Sequence, residues 1–193
     1  MERLGRDRGQ AQLNRLSLRL FLQVAAAVFP FAGYGAEIVS FSTPTPAALE
    51  QGRSCMASLS FQVSEGFHIQ ANPASEEYLI PARLKLGSAR GVVPGEPVYP
   101  PGSPYRLEGS EKTISTYGGI FTVEVPIEVF SSEKPGRRAL KGSLRYQACD
   151  SKRCLFPAEI PVALPVEVVY GKRKWWRSLK PGEKPPSCPP YKS

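Results

Sequence analysis

The chain has one histidine, His68, and four cysteines, of which only Cys149 and Cys154 lie close together in sequence. A protein metal centre draws three or four His, Cys or carboxylate ligands at short spacing, so neither a metal site nor any other cofactor is expected. No stretch repeats its apolar residues with a period of 3.6, and no internal repeat stands out, which argues against helical bundles and solenoids. Apart from Leu20–Ala32, no segment is apolar enough to cross a bilayer, and that run is short and broken by Gln23 and Pro30. The formal net charge of +8 is unevenly placed: residues 1–36 carry +3, residues 171–193 carry +6 and the stretch between them −1. A nearly neutral body gives no argument for nucleic-acid binding.

Arg3, Arg6, Arg8, Arg15 and Arg19 precede the apolar run, and the small residues Gly33, Gly35 and Ala36 follow it. This is the order of a secretory leader, with cleavage expected near Gly35 or Ala36; the alternative is an uncleaved anchor. Residues 37–170 are then one exported domain, in a compartment where disulfides persist. Residues 171–193 form a basic, proline-rich tail that reads as extended and poorly ordered. Its Lys172-Arg173-Lys174-Trp175-Trp176 run suits contact with an anionic membrane surface. The alternative is a solvated tail with its tryptophans packed on the domain edge.

The body alternates at period 2. Cys55, Ala57, Leu59, Phe61 and Val63 fall on one phase, as do Phe121, Val123, Val125, Ile127 and Val129. Residues 38–41 and 82–86 are shorter candidates, and Leu140–Ala148 and Ile160–Tyr170 complete the set. Turn signals such as Ser64-Glu65-Gly66 and Pro100-Pro101-Gly102 separate these runs. The expectation is an all-β antiparallel sandwich. Pro126, Pro161 and Pro165 lack the ladder N–H and belong at edges or bulges.

Cys149-Asp150-Ser151-Lys152-Arg153-Cys154 joins the last two strand candidates. A hairpin there brings the two sulfurs together, and its loop is too short for a bond to add much chain-entropy stability. Lys152 and Arg153 would favour a thiolate, with Asp150 opposing. A structural disulfide and a redox-active pair are both open, and spacing alone favours the first. Cys55 shares a phase with Leu59 and Phe61, so it is expected to be a buried, unreactive thiol. A Cys55–Cys188 bridge would need the tail to enter the core.

Tyr146-Gln147-Ala148-Cys149, with Cys154 and Pro157, resembles the active-site hairpin of the N-terminal periplasmic domain of DsbD, the thiol:disulfide interchange protein. Shorter pieces follow in the same order: Gly66-Phe67-His68-Ile69 with Asn72-Pro73, Ile80-Pro81, Val98-Tyr99-Pro100 with Gly102, and Tyr117-Gly118. Together they span roughly residues 38–169. The resemblance implies an immunoglobulin-like sandwich with an active-site hairpin and a cap loop. It implies a periplasmic electron relay in which Cys154 makes the intermolecular bond and Cys149 resolves it. His68, Gln70, Tyr146, Gln147, Asp150, Lys152 and Arg153 would surround the pair, His68 either assisting the thiolate or hydrogen-bonded at a strand end. Ile114, Ser115, Thr116, Tyr117 and Gly118 would form the cap, with Thr116 where the family often has an aromatic. The implied partners are thioredoxin-like periplasmic proteins and a separate membrane electron donor of DsbD or CcdA type, because this chain has neither the membrane domain nor the thioredoxin-like domain of full DsbD. The rival reading is an exported, non-enzymatic sandwich that binds a protein partner and carries a permanent Cys149–Cys154 clamp.

Overall fold

A computed structural model describes residues 37–171 and 183–191. The leader and the Lys172–Trp176 run lie outside the described residues. Twelve strands and no helix are found among the described residues. They are β1 (Val39–Phe41), β2 (Ala47–Glu50), β3 (Ser54–Val63), β4 (His68–Gln70), β5 (Arg83–Leu86), β6 (Val92–Pro94), β7 (Ser103–Tyr105), β8 (Ile114–Tyr117), β9 (Ile120–Val129), β10 (Gly136–Tyr146), β11 (Ala148–Cys149) and β12 (Ala158–Val169).

Two four-stranded sheets, ordered β1-β3-β9-β6 and β2-β12-β10-β5, enclose one core as an immunoglobulin-like sandwich. The alternation seen in the sequence decides what is buried. Phe121, Val123, Val125, Ile127 and Val129 all face inward from β9, and Leu59, Phe61 and Val63 do so from β3. Burying each such side chain contributes about 1.5–3 kcal/mol. All strand pairs are antiparallel except β2 with β12, which is parallel. A third sheet, ordered β11-β4-β8-β7, stands at one end and carries the cysteine hairpin.

The prolines depart from expectation. Pro126 and Pro165 sit in β9 and β12, both internal strands. Pro165 lies where β2 has just ended, since β2 pairs with β12 only from Val166, and Pro126 lies in the irregular gap between β6, paired with β9 from Ile127 onward, and the Val98–Glu124 bridge, where its carbonyl accepts Gly95 N–H at 2.7 Å. Pro161 lies further still from β2, opposite Ser143. An internal strand tolerates proline where only one side needs a donor.

The expectation of an unpaired Cys55 is overturned. Cys55 and Cys188 form a disulfide that closes a separation of 133 residues, with Cα atoms 4.9 Å apart. The tail does not enter the core to reach it. Residues 186–191 lie along the edge of the sandwich as a strap between β2 and β3. Ser187 bridges Met56 in parallel and Pro190 bridges Ala47 in antiparallel fashion. Met56 N–H donates to Pro186 O at 2.8 Å, Cys188 N–H to Met56 O at 2.9 Å, and Ala48 N–H to Pro189 O at 2.8 Å. Proline lacks a donor but keeps its carbonyl, so a proline-rich segment serves as an edge strand by accepting. Lys184 adds an ion pair with Glu124.

Candidate redox site

β10 and β12 pair from Gly136 opposite Val168 to Tyr146 opposite Ala158. Beyond them the chain narrows into the cysteine hairpin. Leu155 N–H donates to Ala148 O at 2.7 Å and Asp150 N–H to Arg153 O at 3.0 Å. Cys149 and Cys154 face each other between these two bonds, in the non-hydrogen-bonded position where side chains approach most closely. They are joined as a disulfide with Cα atoms 3.8 Å apart. Asp150 holds the turn: its Oδ1 accepts from the N–H groups of Lys152 and Arg153, each at 2.8 Å. Those donors keep the Asp150 carboxyl below the usual carboxylate range. Lys152 and Arg153 are exposed, and the Arg153 guanidinium sits 3.9 Å from Asp150. The charges at the turn tip therefore face water and one another, where they act weakly on the sulfurs.

The two sulfurs have different surroundings. Cys149 is fully buried and Cys154 partly exposed. Cys149 packs with Leu79 and Ile114 in an apolar cluster separate from the main core, joined by the partly buried Ala74, Tyr105, Leu107 and Cys154. The cover comes from three segments. Ile114 stands on β8 and packs on Cys149. Leu79, Tyr105 and Leu107 had no sequence signal beyond being apolar residues in loop-like stretches. Tyr105 Oη donates to Asp150 O at 3.3 Å, and Glu108 N–H donates to Ser151 O at 2.7 Å, binding the 103–108 segment across the hairpin. An ion pair of 3.0 Å between Lys112 and Glu76 ties two of the covering segments together.

The remaining cap residues are placed differently from a loop over the sulfurs. Ile114–Tyr117 is a strand paired with both β4 and β7. Thr116 is fully buried, with Oγ1 3.4 Å from Ser103 O. Tyr117 turns away from the pair: its ring stacks on Phe121 at 4.7 Å, and its hydroxyl donates to Pro100 O at 2.9 Å. Ser115 accepts Ala71 N–H on its carbonyl, and its own N–H donates to Ser75 Oγ. Gly118 lies against His68; a Cβ there would come within 3.0 Å of the imidazole Cδ2.

His68, on β4, is directly opposite Cys149 in register. Its ring stacks on Tyr105 with centroids 3.8 Å apart, and its Nδ1 is buried without a hydrogen-bond partner. Burial holds its pKa below the ordinary histidine value, so it is a neutral ring in the wall of the site. Gln70, two residues on and fully buried, donates from Nε2 to Cys149 Sγ at 3.1 Å and reaches Cys154 Sγ at 3.8 Å. Gln147 acts on the backbone. It accepts Ile80 N–H at 3.0 Å and donates to Leu155 O at 3.2 Å, which fixes the hairpin to the 80–82 segment. Tyr146 belongs to the main core, where burial raises its phenol pKa and the backbone of Val39 hydrogen-bonds it. Among the described residues, no three His, Cys, Asp or Glu side chains gather in a way that could hold a metal ion.

No family model and no curated protein matches the chain. Among solved structures, the N-terminal domain of Neisseria meningitidis DsbD, in its reduced form, is similar, with 18% identity and a TM-score of 0.37. That match covers 64% of this chain and 83% of the other.

Proposed function

We propose that the Cys149–Cys154 pair exchanges electrons with dithiols and disulfides of thioredoxin-like partner proteins in the periplasm, as one module of a multi-protein relay. A separate membrane donor of DsbD or CcdA type would reduce it. One observation carries this reading: the disulfide is asymmetric. Cys154 is partly exposed, while Cys149 is fully buried and its sulfur is hydrogen-bonded by an amide at 3.1 Å. A permanent clamp needs neither property.

In the reducing direction, a partner thiolate attacks Cys154 Sγ in line with the S–S bond. The Cys149–Cys154 bond breaks, and its electron pair leaves on Cys149, which takes up a proton. The partner's second thiol then loses its proton and attacks its own sulfur in the mixed disulfide, releasing Cys154 as the second thiol. Two electrons move from partner to module, and one disulfide replaces another. Run backwards, the reduced module attacks through Cys154 and Cys149 resolves.

The test is to trap the mixed disulfide. Cys149→Ser, reduced and mixed with an oxidised thioredoxin-like protein, should accumulate an adduct on a non-reducing gel; Cys154→Ser should not. An adduct with Cys154→Ser alone reverses the roles. No adduct with either variant, across several partners, leaves the pair as a structural clamp.

A further inference from the structure

We infer that Gln70 sets the redox poise of the Cys149–Cys154 pair, favouring the reduced form through its amide on Cys149. The inference deepens the exchange reading and rests on it.

A glutamine is an expensive choice at this position. The side chain is fully buried beside a cluster of Leu79, Ile114 and Cys149, where leucine would lose nothing. In the disulfide form its amide is poorly satisfied. Nε2 donates only to sulfur, at 3.1 Å and 3.8 Å, and a bonded sulfur is a weak acceptor. Oε1 is buried without a partner. A buried polar atom left in this way costs free energy that the fold must recover elsewhere.

Reduction changes the account at Nε2. Two electrons and two protons convert the S–S bond into two thiols, with the electrons supplied by a partner dithiol that becomes a disulfide. The weak bond from Nε2 to a disulfide sulfur then becomes a bond to the sulfur of a free cysteine. If Cys149 ionises, its thiolate accepts a charge-assisted hydrogen bond from Nε2. That bond belongs to the reduced state alone, so Gln70 shifts the couple towards dithiol. The same amide offsets the burial that would otherwise raise the Cys149 thiol pKa. It already stands on the sulfur that departs when Cys154 is attacked, and a lower leaving-group pKa speeds that departure. Gln70 is thus a positioning and tuning residue, acting through Cys149.

The experiment uses the full chain with Gln70→Leu and, as a flexible isostere should leucine not fold, Gln70→Met. Each is equilibrated in dithiothreitol or glutathione redox buffers, and the reduced fraction of the 149–154 pair is read by alkylation and mass. Both variants should favour the disulfide about tenfold more than the parent, equivalent to a potential about 30 mV lower for a two-electron couple. In a Cys154→Ser background, the ultraviolet thiolate signal of Cys149 should titrate about one pH unit higher when Gln70 is replaced. An unchanged potential in both variants, with or without a change in melting temperature, overturns the role of Gln70 while leaving exchange intact. A shift towards easier reduction overturns it as well. A parent pair that stays oxidised in every buffer overturns the exchange reading itself.

Discussion

Removing the second disulfide should cost far more stability than removing the one at the site. The Cys55–Cys188 bond closes a separation of 133 residues, and the chain-entropy relation puts its effect on the unfolded state at about 5 kcal/mol. The Cys149–Cys154 bond spans a separation of 5, for which the same relation gives about 2 kcal/mol. The native side adds to the difference. Without the bond, the strap is held by Lys184–Glu124 and by main-chain hydrogen bonds at Ala48, Met56, Cys188 and Tyr191, each worth about 1 kcal/mol net. If the strap departs, the Ala48 and Met56 N–H groups turn to water, so the loss is moderate. A domain stable by about 5–15 kcal/mol survives it, though weakened. The clean variant is Cys55→Ala/Cys188→Ala, which leaves no stray thiol to shuffle.

Urea unfolding followed by circular dichroism should place the double variant about 3–5 kcal/mol below the parent, and Cys149→Ala/Cys154→Ala about 1–2 kcal/mol below it. Hydrogen exchange gives a local check. The amides of Ala48, Met56, Cys188 and Tyr191 should exchange faster in the strap variant, while those in the β10–β12 ladder stay slow under native conditions. Equal losses for the two pairs, or a loss under about 1 kcal/mol for the strap pair, would refute the view that the strap bond is the structural one.

Other outcomes follow from the site. Ile114→Ala and Leu79→Ala should each speed reduction of Cys149–Cys154 by a small thiol several-fold, by thinning the apolar cover; unchanged rates in both would mean that these residues do not limit access. His68 is the only histidine, and burial lowers its pKa, so as pH falls below about 6.5 the unfolded chain takes up a proton before the folded one does. Stability measured by urea unfolding should therefore fall as the pH drops below about 6.5, and His68→Phe should flatten that slope. Phe156 is 96% exposed two residues beyond Cys154, so Phe156→Ala should leave melting temperature and small-thiol reduction unchanged while slowing exchange with a thioredoxin-like partner; a parallel drop in all three would make it a packing residue instead.

What the sequence showed clearly was whatever two-fold alternation controls. β3, β9, β10 and β12 are long, and each alternates because one face meets the core and the other does not. The hairpin was equally legible, since Asp150 begins a short polar loop between two such runs. The short strands were not. β4, β7 and β8 have three or four residues each, too few to display a period, and the cover over Cys149 is built from them and from loops. The strap was missed for a different reason. Proline is read as a residue that avoids sheets because it cannot donate, yet the strap's bonds at Pro186 and Pro189 need only acceptors. Met56 carried a hint of it. It lies on the opposite phase from Cys55 and is nevertheless buried, at the point where the strap pairs with β3.

Under the proposed exchange, the two disulfides of this chain divide the work that a single one would have to share. A bond meant to be broken in each cycle cannot also hold the fold, because every reduction would then release a large part of the stability. Here the bond that closes the long loop lies at the edge of the sandwich, fastened along both neighbours by main-chain pairing. The bond in the short loop sits in its own apolar cluster at one end, apart from the main core. Its surroundings are also held by contacts that do not involve the sulfurs: the Asp150 turn, the Gln147 links to Ile80 and Leu155, and the Tyr105–Asp150 hydrogen bond. Breaking it should lower stability by only about 2 kcal/mol through the unfolded chain, and these contacts should keep the hairpin formed. This arrangement makes an order of events measurable. Under increasing dithiothreitol, the 149–154 pair should be reduced first with circular dichroism unchanged, and the 55–188 pair only later, together with a fall in melting temperature. Reduction in the opposite order, or loss of structure with the first pair, would show that the cysteine hairpin carries the fold and the strap does not.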